Sequence, residues 1–290
     1  MKGTWHASSP RTEAEGAGGV RRFKHRTGVA LLLAALLLIL TTAVALAVTG
    51  DLTQPAGSAG CVSETGAGPC ADGHGLDGAY SVAVSPDGKS VYVASYSGSA
   101  VVRLVRDTTT GAISQPAGTA GCISGTGAGP CVDGFGIDTP ESIAISADGK
   151  NVYVASFSRD AVVRLIRDTT TGAITQPAGS AGCIGETGSP CADGRGLNGV
   201  FSVAISPDGK SVYVASYTGS SVMRLVRDTT TGAITQPAGT AGCVSEDGSG
   251  PCADGHGLAL PTGVTVSADG KSLYVASANS DAVARLNRAP

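Results

Sequence analysis

Beyond residue 50 the chain is a succession of short alternating segments. Ser81-Val82-Ala83-Val84-Ser85 places valine at every second position, the two-residue period of a strand. Ser85-Pro86-Asp87-Gly88 follows, with Pro and Gly where a type I turn wants them. A second strand is predicted over 90–95 and a third, after a short polar turn, over 100–106. The Thr-rich stretch 107–111 reverses the chain into a short fourth strand over 112–115. The predicted unit is a four-stranded antiparallel meander, followed by about two dozen Gly-rich residues that lead to the next unit.

The tetrapeptide Tyr-Val-Ala-Ser starts at Tyr92, Tyr153, Tyr213 and Tyr274, at spacings of 61, 60 and 61 residues. Such regularity means tandem duplication, with units of 51–111, 112–172, 173–232 and 233–290. The expected fold class is therefore all-β: a β-propeller of four ~61-residue, four-stranded blades with disulfide-containing inter-blade loops, preceded by an N-terminal hydrophobic helix. The phase of the repeats suggests a seam. Residues 50–55, Gly-Asp-Leu-Thr-Gln-Pro, match the fourth strand in 111–116, Gly-Ala-Ile-Ser-Gln-Pro, while the last unit reaches only a third strand at 282–286. Pairing the two removes two exposed edges, either within one chain as a four-bladed ring or between two chains as an eight-bladed homodimer.

The N-terminus reads as a targeting segment. A basic n-region, 1–28, contains Arg21-Arg22-Phe23-Lys24-His25-Arg26, and an apolar run at 29–48 is broken only by Thr41-Thr42. The run serves either as a signal peptide h-region ahead of the small-residue site Ala45-Leu46-Ala47 or as a transmembrane anchor. Both readings place the propeller domain, 49–290, outside the cytoplasm, secreted or membrane-anchored. If the leader is kept, connectivity points the Cys-loop face away from the membrane.

Composition narrows the partners. The chain holds 43 Gly and only 15% charged residues, and removing residues 1–47 leaves 14 basic against 21 acidic side chains. A mildly acidic domain with scattered Arg is a poor match for nucleic acid, which demands a clustered basic face. The eight cysteines fall in local pairs, Cys61 and Cys70, Cys122 and Cys131, Cys183 and Cys191, Cys243 and Cys252. Pairs of this kind behind an export signal predict disulfides rather than zinc, whose knuckles are more closely spaced. Closing each loop of roughly ten residues contributes about 2.5 to 3 kcal/mol.

The motif Ser-Pro-Asp-Gly-Lys-x-Val-Tyr-Val-Ala-Ser, at 85–95 and again at 206–216, resembles the YVTN-type propellers and the β-propeller lactonase-like family. The resemblance covers roughly Asp51 to the C-terminus. It implies a propeller, and in that family rings usually hold more than four blades. It also implies an alternative activity, a lactonase-like hydrolase, but it is specific for fold and poor for activity, because the matching residues are strand and turn positions shared by propellers of unrelated function.

Variation between repeats concentrates on one face, where the second-to-third turns and the Cys loops meet. Equivalent loop positions read His74, Phe135, Arg195 and His256. The start of the first strand reads Tyr80, Glu141, Phe201 and Thr262, and the turn reads Tyr96, Phe157, Tyr217 and Ala278. Aromatic and ionisable residues around a ring mouth suit a ligand site, so the ten candidates are His74, Tyr80, Tyr96, Phe135, Glu141, Phe157, Arg195, Phe201, Tyr217 and His256. No catalytic set is assigned. Glu141 reads as a solvated surface residue and the histidines as exposed, while Arg103, Arg106 and their repeats read as solvated outer-blade positions. No cofactor or metal is expected. Calcium at the recurring Asp72-Gly73-His74-Gly75-Leu76-Asp77 run is the rival to a simple Asp-capped turn. The expected function is an extracytoplasmic, non-catalytic binding or scaffold propeller that displays its Cys-loop face to an extracellular ligand or protein.

Overall fold

The computed structural model describes residues 50–127, 129–188 and 190–289. The chain separates into two compact units, Met1–Thr53 and Gln54–Pro290, and every strand below lies in the second. The expected hydrophobic helix at 29–48 lies outside the described residues. Among the described residues no helix is long and apolar enough to cross a membrane.

In the first blade the inner strand Ala79–Val84 pairs antiparallel with Ser90–Ser95, which pairs in turn with Ala100–Arg106. The second blade repeats this with Pro140–Ile145, Asn151–Ser156 and Ala161–Arg167, and the third with Val200–Ile205, Ser211–Ser216 and Ser221–Arg227. The last blade consists of Pro261–Val266, Ser272–Ser277 and Ala282–Asn287. The inner strands pack side by side in chain order, first against second, second against third, third against fourth.

The fourth strand is longer than the alternation suggests and is broken in two. Ile113–Ser114 pairs with Arg106 and Val105, and Cys122–Ser124 rejoins the same strand at Val102 to Ala100. Pro116 has no N–H to give the ladder, so the chain leaves it, makes a 3-10 turn at Gly118–Gly121 and returns. Cys122 thus starts outer-strand structure rather than a free loop, and Val132–Asp133 then adds a short parallel pairing to Ile123–Ser124. All four predicted disulfides are formed, Cys61–Cys70, Cys122–Cys131, Cys183–Cys191 and Cys243–Cys252. Four local disulfides fit an oxidising, extracytoplasmic compartment.

Blade is bound to blade by apolar packing and by a polar latch. Tyr92, Ala94 and Val101 of the first blade share one buried cluster with Ile143, Val152 and Val154 of the second. Each such residue contributes on the order of 1.5 to 3 kcal/mol when fully buried. The latch sits at the opposite end from the Cys loops. Arg167 donates from Nε to the Tyr92 hydroxyl at 2.8 Å and pairs with Asp87 at 2.8 Å. Arg227 does the same with Tyr153 and Asp148, and Arg288 with Tyr213 and Asp208. Of the third-strand arginines, Arg103, Arg164, Arg167 and Arg227 are therefore buried rather than solvated, whereas Arg224 and Arg285 are exposed. Strand alternation predicts which face a side chain takes, but in a propeller the second face meets the neighbouring blade.

Among the described residues the seam is not closed. Val62–Ser63 pairs only with Ala71–Asp72, and Leu52 is 98% exposed. Among the described residues no strand covers the free edge of Ala282–Asn287. Three blades are complete; a three-stranded blade ends the arc and a part-blade of outer-strand elements begins it.

Candidate functional site

The mouth is built by a backbone irregularity that recurs in every blade. In the first inner strand Ala79 pairs with Ser95 and Ser81 with Ala94, so Tyr80 is skipped. The same skip falls on Glu141, Phe201 and Thr262. A bulge re-aims the side chain of the extra residue, and here it does so at the start of each inner strand. The alternation seen in the sequence gives no hint of it, because the skipped residue lies just ahead of the regular segment.

Each second-to-third turn is pinned beside the bulge. The amide of Tyr96 donates to the carbonyl of Gly78 at 2.8 Å, that of Phe157 to Thr139 at 3.2 Å, and that of Tyr217 to Gly199 at 2.8 Å. Gly78 and Gly199 hold φ of +64° and +68°, and Thr139 at the same place holds +47°, a strained value for a β-branched residue.

These two devices gather six of the ten candidates. Tyr80 stands 6.2 Å from Tyr96 and 6.3 Å from Phe201, centroid to centroid; Phe201 lies 6.2 Å from Phe157 and 5.7 Å from Tyr217. Such distances are those of edge and tilted aromatic contacts. Glu141 occupies the position between Tyr80 and Phe201 in blade order. It is 7% exposed, so it is not a solvated surface residue. Burial pushes its carboxyl up from the ordinary range, and the Tyr80 hydroxyl bonded to it only partly offsets this. The charge of Glu141 in turn pushes the Tyr80 phenol up. One carboxylate oxygen, Oε2, is buried with no hydrogen-bond partner among the described residues. Among the described residues no salt bridge or hydrogen bond joins Glu141 to a second carboxylate, a histidine or an arginine.

The remaining four candidates are not at the mouth. The amide of His74 donates to Gln115 Oε1 at 2.7 Å and its carbonyl accepts from Gln115 Nε2 at 2.8 Å. Phe135 makes the same pair with Gln176, and Arg195 with Gln236. A Cβ at Gly121 would come within 2.9 Å of His74 Nε2, and one at Gly182 within 2.7 Å of the Phe135 ring. The His74 and Phe135 side chains thus lie over glycines of the 3-10 turns, and the paired loops clamp one blade to the next at the rim. His74 is only half-buried as a residue, but its Nε2 is buried without a partner, whereas His256 is exposed. Among the described residues no three His, Cys, Asp or Glu side chains converge as a metal site. The glycine-rich run is held instead by glutamates: Glu186 accepts from the Leu197 amide at 2.6 Å, and Glu64 and Glu246 accept from Leu76 and Leu258.

The chain matches no protein-family profile and no curated protein. Its fold is that of β-propellers. The periplasmic gluconolactonase of Pseudomonas aeruginosa aligns at 17% identity over 76% of this chain and 56% of its own, with a TM-score of 0.51. A 6-phosphogluconolactonase-like protein of Bacteroides fragilis aligns at 18% identity over 73% and 51%, also at 0.51, and one of Bacteroides uniformis at 19% over 72% and 52%, at 0.50. The chain spans about half the length of these solved structures.

Proposed function

We propose that the protein is an extracytoplasmic, non-catalytic binding propeller whose mouth, on the Cys-loop face, takes a small organic cation. The buried, unpartnered Oε2 of Glu141 beside five clustered aromatic rings carries this reading. A carboxylate with an unmet acceptor attracts a cationic or donor group, and aromatic faces stabilise a cation further by about 0.5 to 2 kcal/mol each. A single carboxylate supports binding more directly than acid–base hydrolysis, which needs an acid, a base or a metal in reach of one another.

Titration calorimetry with tetramethylammonium tests the reading. Saturable binding is expected, weakened about tenfold in Glu141→Gln, the loss of one charge-assisted contact. Equal binding by Glu141→Gln, or none by the unaltered protein, defeats it. The second reading, a lactonase-like hydrolase, draws on the fold neighbours and on the raised carboxyl of Glu141, which suits a general acid. Turnover of gluconolactone that disappears in Glu141→Gln would establish that reading instead.

A further inference from the structure

The two ends of the arc are unmet halves of one junction. At each of the three internal junctions an arginine of the later blade binds a tyrosine and an aspartate of the earlier one. On the last blade Tyr274 and Asp269 stand at the tyrosine and aspartate places with no arginine. Asp269 accepts only from Ser267 and Lys271 nearby. On the first blade Arg106 stands at the arginine place, and the hydrogen bond it makes goes to its own blade's Gly88 carbonyl.

The apolar surfaces tell the same story. Tyr274 is 39% exposed where its three counterparts are at most 6%, and Val283 is 72% exposed where Val101, Val162 and Val222 are buried. On the first inner strand Val82 and Val84 are 65% and 55% exposed, while Ile143 and Val203, the counterparts of Val82, are 7% and 6% exposed. A soluble protein seldom leaves an apolar face beside a bare sheet edge uncovered.

Strand elements are complementary as well. Val102, Val101 and Ala100 pair with Cys122, Ile123 and Ser124, and the later blades repeat this register. Among the described residues Ala284, Val283 and Ala282 have no such partners, and Cys61, Val62 and Ser63 of the part-blade have no third strand to pair with. Between the second and third blades Ile234 packs in one cluster with Tyr153, Ile184, Val212 and Leu225. The counterparts of those four, Tyr213, Val244, Leu273 and Leu286, line an open cleft of about 330 Å³.

We infer that the occupant of each free end is a second copy of this chain, so that two copies close a ring of eight blades. Ala284, Val283 and Ala282 of one copy pair with Cys61, Val62 and Ser63 of the other, and Arg106 of that other copy enters between Tyr274 and Asp269. A twofold axis along the ring makes both junctions at once, so no edge remains. The inference stands apart from the ligand reading, because it concerns the ends of the arc and not Glu141.

The experiment is the solution mass of the exported chain under non-reducing conditions, by light scattering, for the protein, Asp269→Arg, Arg106→Asp and the two substitutions combined. The expected result is a mass of two chains, dissociating at least about tenfold more readily in either single variant and regained in the combination, whose charges are exchanged but again complementary. Both substituted side chains face the open ends, so each variant is expected to keep the fold, with circular dichroism as the check. A monomer, an open filament, or a dimer indifferent to all three variants overturns the inference.

Discussion

Tyr92 and Arg167, 75 residues apart in sequence, are joined by a hydrogen bond of 2.8 Å, and the same tyrosine hydroxyl donates to the Gly172 carbonyl at 2.6 Å. One oxygen thus ties the second strand of one blade to the third strand and the following turn of the next. Tyr92→Phe keeps the ring and its packing but leaves a buried guanidinium N–H and a buried carbonyl unmatched. The cost is expected to be about 2 kcal/mol, read as a lowered midpoint of chemical denaturation. An unchanged midpoint would mean that the apolar cluster alone holds the junction.

The turn that receives the hydroxyl is equally constrained. Gly172 has φ of +77°, and a Cβ there would stand 2.2 Å from the Ser90 hydroxyl of the preceding blade; at Gly232 it would stand 2.1 Å from Asn151. Gly111 has nearly the same φ, +79°, but the nearest atom to its Cβ is an Arg106 nitrogen at 3.7 Å. Gly111→Ala should therefore show the backbone penalty alone, about 1 kcal/mol. Gly172→Ala and Gly232→Ala add overpacking of about 1 to 3 kcal/mol. Thermal melts of the three variants separate the contributions, and equal losses would remove the case for a steric one.

Strand positions and disulfide partners were legible because each depends on neighbours in sequence: Val82 and Val84 on a two-residue period, Cys122 and Cys131 on proximity. The burial of Glu141 and Arg167 was not, because both are enclosed by other blades. Glu141 shares its environment with Tyr80 and Phe201, about 60 residues away on either side, and Arg167 with Asp87, 80 residues away. Aromatic residues at equivalent repeat positions were enough to find Tyr80, Tyr96, Phe157, Phe201 and Tyr217. The same variation also marked His74, Phe135 and Arg195, which lie away from that cluster; the His74 and Phe135 side chains stand over Gly121 and Gly182. The hydrogen bonds of that clamp are made by backbone atoms, which any residue supplies.

The latch gives stability an acid limb. Burial by itself would push Asp87 up, but the Ser85 hydroxyl, the Arg167 guanidinium and the Lys89 amide outweigh it and hold the carboxyl down at about 2; Asp148 and Asp208 are lowered by the same kinds of partner. A carboxyl lowered by folding adds stability that is fully present above its unfolded value, near 4, and is lost as pH falls through the folded value. Denaturation midpoints should hold steady at mildly acidic pH and drop between about pH 4 and 2. In Asp87→Asn part of that drop should vanish, because its proton-linked contribution is already gone. A pH profile parallel to that of the unaltered protein would show that the Asp87–Arg167 pair adds nothing.

Glu141 carries the opposite sign. Its carboxyl is raised, first by burial and against the Tyr80 hydrogen bond, so the folded protein favours the protonated form. A carboxyl raised by folding adds stability below its unfolded value, and that stability is lost as pH rises through the folded value. The ionised form of Glu141 is therefore the one that costs the fold stability. Glu141→Gln keeps the shape and removes the charge, so its melting temperature should exceed that of the unaltered protein at pH 7 and converge with it below about pH 4. Binding of a cation should run the other way, weakening as acid neutralises Glu141 and failing to respond to pH in Glu141→Gln. A carboxyl whose ionised form works against the stability of its own fold suits a cation-binding mouth, and strain of this kind is characteristic of functional positions. If Glu141→Gln instead melts lower at pH 7, the carboxylate has a stabilising partner in the folded protein, and the mouth's unmet acceptor, with the ligand reading built on it, falls together.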